Sequence, residues 1–186
     1  MKKYILPSVI LTGLLAILLA GIYPLSLSGI ARFAPGNGGG EKVLFNDRIV
    51  GYANVGQKFT ADKYFQGRPS AIDYNASGSG GSNKGPSNPD YLKIVQNRID
   101  TFMVHNPGVK KEEIPVELVT ASGSGLDPDL SPAAARVQVP RIAKIRGIEV
   151  EKLYNLIDQQ TEKQFFGLGP NKINILKLNV ALDQIK

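Results

Sequence analysis

From Tyr4 to Ala31 the chain runs 28 residues without a charge, after Lys2 and Lys3 and before Arg32. Ile5 to Ile22 carries eleven Leu, Ile and Val. A helix from Ile5 to Tyr23 rises about 28 Å, close to the roughly 30 Å apolar core of a bilayer. The pattern predicts a transmembrane helix over 5–30, preceded by a cytoplasmic stub at 1–4. Pro7 falls in the first turn and Pro24 at the end, so neither removes a hydrogen bond from mid-span. A cleaved signal peptide is the competing reading, with Lys2 and Lys3 as its basic flank and Ser26-Leu27-Ser28 as small residues near a cleavage point. The apolar run exceeds the roughly 7 to 15 residues usual for such a peptide, which favours a retained anchor. The two lysines ahead of the span place the N-terminus in the cytoplasm and the remainder outside.

After the span the pattern changes. Pro35-Gly36-Asn37-Gly38-Gly39-Gly40 breaks all periodicity, and residues 31–41 read as a glycine-rich linker. Residues 42–186 then carry the alternations of a single domain. Lys42 to Phe45 and Arg48 to Tyr52 flank Asn46-Asp47 and predict a β-hairpin. Asn88-Pro89 opens a helix on which Leu92, Val95, Ile99, Phe102 and Met103 share a face, ending at Asn106-Pro107-Gly108. Val116 to Thr120 predicts a strand, and Ser131-Pro132 a helix running to about Arg146 and stopped by Gly147. Val150, Leu153, Tyr154 and Ile157 have the spacing of a further amphipathic helix. Ile173 to Val180 predicts a closing strand. The fold class is α+β: one membrane helix, then an extracytoplasmic domain with a small sheet and about three helices.

Composition narrows the function. The net charge of +6 falls to about +3 beyond Arg32, since 19 of the 22 Lys and Arg stand there against all 16 Asp and Glu. No dense basic stripe interleaved with aromatics exists, which argues against nucleic-acid binding. With no cysteine, the chain has no disulfide, thiol nucleophile or thiolate metal site. One histidine, His105, leaves a zinc site short of its usual ligands, and its place near a helix C-terminus suits the helix dipole.

Two glycine and serine blocks, 74–89 and 120–128, are the candidate chemistry. Each leads toward a helix, where backbone N–H groups and the helix dipole can face an anion. Ser79, Gly81, Ser82, Lys84, Ser122 and Ser124 are the candidate positions. The blocks match neither G-x-x-x-x-G-K-[ST] nor G-x-G-x-x-G, so structured surface turns are the simpler reading. No serine sits in G-x-S-x-G. Asp127 and Asp129 could act as an acid and base pair or bind a cation, but turn and cap work around Pro128 fits them better. The chain reads as non-catalytic, with no metal and no cofactor of its own. Inside the span, Thr12, Ala16 and Ala20 recur at i+4 beside Gly13 and Gly21, a small-residue stripe against which a partner helix can pack.

Several longer blocks carry a resemblance. The anchor, Gly56-Gln57-Lys58-Phe59, Tyr64-Phe65-Gln66-Gly67-Arg68-Pro69-Ser70-Ala71, Ser79-Gly80-Gly81-Ser82-Asn83 and Gly85-Pro86-Ser87-Asn88-Pro89 are among them. Val119 to Pro128, Arg141-Ile142-Ala143, Arg146-Gly147 and Asn174 to Asn179 continue in order. Together they resemble the C subunits of the Kdp potassium-transporting ATPases, the KdpC family, over almost the whole chain. The resemblance implies an accessory subunit of the plasma (inner) membrane, assembled with a channel-like potassium-binding subunit and a P-type ATPase subunit. It also implies the family's described role as a catalytic chaperone that raises the pump subunit's affinity for ATP. The chain lacks the Asp-Lys-Thr-Gly-Thr motif of a phosphorylated pump. An extracytoplasmic domain cannot touch cytosolic ATP. ATP is then reached only through the complex, or the orientation is reversed, and charge placement favours the former. The rival function is a nucleotide-binding regulatory domain using the glycine and serine loops.

Overall fold

The computed structural model describes residues 2–163 and 168–185. The chain divides into two units after Glu41. In the first, α1 (Lys2–Ala16) passes into a π-helical run at Ile17–Ile22 and then into α2 (Tyr23–Ala31). Lys3–Ala31 is long and apolar enough to cross a membrane, with a mean hydropathy of 2.5 in its best window and none of that window buried within the protein. The helix continues through Pro24 to Ala31. The π run pairs Tyr23 N–H with Leu18 O, so the hydrogen-bonding register is already changing where Pro24 withholds its N–H.

In the second unit the expected hairpin forms, with β1 (Lys42–Phe45) antiparallel to β2 (Arg48–Tyr52) and a bulge after Val43. Asn46 and Asp47 both take positive φ, 49° and 60°, the geometry of a tight two-residue turn. The next long element is α3 (Pro89–His105), capped by Asn88, whose side chain accepts from Tyr91 N–H at 3.0 Å. Only Phe102 of α3 is buried outright, so this helix lies on the outside of the domain.

Three expectations give way to packing. Val116–Leu118 forms a turn of 3-10 helix rather than a strand, because Leu118 and Val119 are both buried and adjacent residues of a strand would face opposite ways. The single helix expected over 132–146 is two: α4 (Pro132–Arg136) and α5 (Val139–Arg146), broken where Pro140 lacks an N–H and crowds the preceding turn. Gly147 does end α5, at φ 66°. α6 (Val150–Gln160) follows as expected.

The closing strand is the largest correction. Only Ile173–Asn174 is extended, as β4, antiparallel to β3 (Asp129–Leu130). Asn174 then caps α7 (Ile175–Gln184), accepting from Lys177 N–H at 3.0 Å while its amide donates to Ala53 O at 2.6 Å. α7 is the hub of the domain. Leu178 and Leu182 enter a cluster with Phe65, Val139, Ile142, Leu153 and Ile157. Ile175 packs with Phe102, Leu118, Val119 and Leu130. Leu176 covers the hairpin through Val43 and Ala53. A helix turning about 100° per residue can serve three clusters, whereas a strand offers two faces. Mixed α and β architecture is therefore present, with two small two-stranded sheets and five domain helices among the described residues in place of one sheet and three.

Candidate functional site

The two glycine and serine blocks, some forty residues apart, lie against each other. Gly80 N–H donates to Ser124 O at 2.9 Å and the Ser79 hydroxyl to the same oxygen at 3.0 Å. Gly125, at φ 70°, returns the chain under Ile72, where the Gly80 carbonyl would lie 2.7 Å from any Cβ. Gly81 leaves only 3.1 Å between a Cβ and the Gly123 carbonyl. Ser122 is 3% exposed and its hydroxyl accepts from Gly125 N–H at 2.9 Å, while Ser124 Oγ accepts from Leu126 N–H at 3.1 Å. Gly80 N–H and the Ser79 hydroxyl thus hold one loop to the other, while Gly125 and Leu126 N–H brace the second loop internally. The pairing was hidden in the sequence because it is made by backbone atoms.

Gly81, Ser82 and Lys84 have a different outlook. With Ser70, Ala71, Tyr91, Ile94 and Arg98 they line a cleft of about 380 Å³ at the start of α3. That cleft meets a larger one, about 430 Å³, at Ser70, Ile94 and Arg98. The larger cleft runs on along α3 past Asn97, Thr101 and Phe102 to His105, with Lys58, Arg68, Asp73 and Tyr74 on the opposite wall. The groove therefore follows α3 from Tyr91 to His105, about 21 Å at roughly 1.5 Å per residue.

Its electrostatics are set by pairs reaching out of the walls. Arg68 binds Asp127 at 2.9 Å, but its buried Nε finds no acceptor among the described residues. Lys58 pairs with Asp73 across the exposed rim. Arg98 donates to Val119 O at 3.1 Å. Tyr74 donates its hydroxyl to the Arg68 carbonyl, and burial, with Asp127 nearby, pushes the phenol up to about 12. His105 Nδ1 lies 2.9 Å from Asp62 Oδ1 and donates to it only when that nitrogen carries a proton.

Asp127 and Asp129 do turn work. Asp127 Oδ1 accepts from Asp129 N–H at 3.1 Å, and Asp129 pairs with Lys172 at 2.8 Å, which holds the Lys172 ammonium above its usual range. Each carboxylate is thus tied to its own cation, not to the other. Lys58 and Arg68 fall in blocks that carry the resemblance, but that they share a groove with Arg98 was not legible in the sequence, because it depends on where α3 is docked. In the first unit, Thr12, Ala16 and Ala20 lie on exposed helix. The π run begins between the second and third, so Ala16 to Ala20 advances less than the roughly 40° of a regular helix and the stripe stays straighter.

Comparison with known proteins gives this arrangement a family. The family model for KdpC, the K+-transporting ATPase c chain, matches residues 5–184. A potassium-transporting ATPase KdpC subunit of Flavobacterium psychrophilum is 54% identical over 176 residues, 95% of each chain. The KdpC subunit of Bacteroides fragilis is 47% identical over 188 residues, covering 99% of this chain and 98% of the relative. That of Bacillus cereus is 45% identical over 188 residues, covering 99% and 97%. The match takes in apolar helix, paired loops, groove and α7 alike, and on that near-complete extent the chain belongs to the KdpC family, the c chains of K+-transporting ATPases.

Proposed function

We propose that this chain is a non-catalytic, membrane-anchored subunit that assembles with the channel-like and P-type ATPase subunits of a potassium importer and stabilises that complex. The observation that carries the reading is the similarity to KdpC subunits over 95% of the chain, anchor and domain together. The domain lies outside the cytoplasm, as Lys2 and Lys3 ahead of the span favour. Any rise in the pump subunit's affinity for ATP is then transmitted through the assembled complex, and the chain needs no nucleotide of its own. The stripe of Thr12, Ala16 and Ala20 is the surface on which a partner span packs.

Two measurements test this. Replacing Ala16 and Ala20 by Leu should lower co-purification of the chain with the other subunits from detergent-solubilised membranes; undiminished recovery would remove the packing role from this stripe. Protease added to sealed, right-side-out vesicles should digest the domain. Full protection would reverse the orientation and reopen direct contact with ATP.

A further inference from the structure

We infer that the groove along α3 receives an extended acidic segment of another subunit in the same complex, an inference that rests on the assembly reading above. Four cations, Lys58, Arg68, Lys84 and Arg98, line its two clefts, and of these Lys58 is paired with Asp73 and Arg68 with Asp127. Among the described residues, neither Lys84 nor Arg98 has a carboxylate within ion-pairing distance, and Arg68 Nε is buried without an acceptor. Lys84 and Arg98 can therefore each take an arriving carboxylate in a charge-assisted hydrogen bond.

Shape decides what kind of anion fits. The groove runs along about 21 Å of helix, the reach of roughly six residues of extended chain at about 3.3 Å each, with the cations on its walls. The floor between them is apolar, with Ile94, Phe102 and Leu118. A compact anion would leave the apolar floor wet. A flat lipid surface would not enter a cleft. An extended peptide with alternating acidic and apolar side chains meets both the walls and the floor.

The test uses the full chain co-expressed with the other subunits. Benzoylphenylalanine is placed at Asn97, exposed on the groove wall, and in a second version at Glu112, exposed and outside the groove. After irradiation in membranes, the Asn97 probe should attach to a segment of another subunit with more Asp and Glu than Lys and Arg, and the Glu112 probe should not. Adding Lys84→Glu and Arg98→Glu should cut that adduct about fivefold or more while co-purification through the anchor persists. Because Arg98 also braces Val119, the pair Lys58→Glu and Lys84→Glu, both exposed, is run beside it and should act in the same direction. An adduct on a neutral or basic segment, on lipid, or one indifferent to both charge reversals overturns the inference. So does an Asn97 probe that forms no protein adduct but is shielded by added ATP or inorganic phosphate, which would make this a small-anion site. Failure to co-purify even without these changes defeats the assembly reading itself and takes the inference with it.

Discussion

Arg141 shows how a buried charge can organise a domain rich in irregular chain. It is 6% exposed, and burial lowers its guanidinium from the usual range. Its Nε donates to Asn106 Oδ1 at 2.9 Å, one terminal nitrogen to the carbonyls of Asp62 and Tyr64, and the other to Gln138 Oε1 at 2.8 Å. One side chain thereby ties the end of α3, the 62–66 segment and the start of α5. Arg141→Met removes the donors and leaves several acceptors dry, a loss of about 3–5 kcal/mol. Thermal unfolding of the chain in mild detergent should register it, and Arg141→Lys should rescue little, since an ammonium lacks the planar fork. A loss under about 1 kcal/mol would mean that water replaces the guanidinium. Tyr74 gives a prediction in pH. Its phenol holds its proton up to about 12 in the folded protein, against about 10 when unfolded. The folded state binds more protons between those values, so this contribution to stability is complete below pH 10 and is lost by pH 12. It amounts to about 2 kcal/mol after allowance for partial exposure. Melting curves recorded from pH 9 to 12 should converge for the parent and Tyr74→Phe as the pH rises; a constant gap would refute the assignment.

At the level of elements, what the sequence disclosed follows from how local each signal is. The hairpin, α3 and α6 were legible because turn residues, a proline at the helix start and a repeating apolar face are all local. The strand expected over Ile173 to Val180 rested on Asn174, Lys177 and Asn179 as polar beats among β-branched and aliphatic residues, and two of those three are asparagines. Those asparagines are in fact buried. Asn179 donates to Phe65 O and accepts from Phe65 N–H, both at 2.9 Å, and Gln138 clamps Gln66 through its backbone in the same manner. Side-chain amides replace the strand that would otherwise satisfy this loop. Such partners lie 114 and 72 residues apart in sequence, so no window could reveal them. The groove was invisible for a related reason. Gly81, Ser82 and Lys84 marked one end of it, but Arg68 and Arg98 become neighbours only through the packing of α3.

For the whole molecule, the consequence lies in where the cores sit. Among the described residues, the three hydrophobic clusters draw their residues from Val43 onward. A unit of about 145 residues is large enough to bury a self-sufficient core. The turns at 34–40 are built on Asn37 and glycines at positive φ, and they connect the apolar helix to the domain. A protease recognition site inserted between Gly38 and Gly39 should therefore allow the domain to be cut free in a folded state. The released fragment should keep the helix signal expected of α3 to α7 and unfold in one transition within a few degrees of the uncut chain. A shift well beyond about 4 °C, more than about 1 kcal/mol in a domain near this size, would mean that the span does stabilise the domain. The two units would then have to be treated as one folding body. Preserved stability with loss of co-purification would instead separate the tasks: the domain folds by itself, and the helix keeps it where the transporter is.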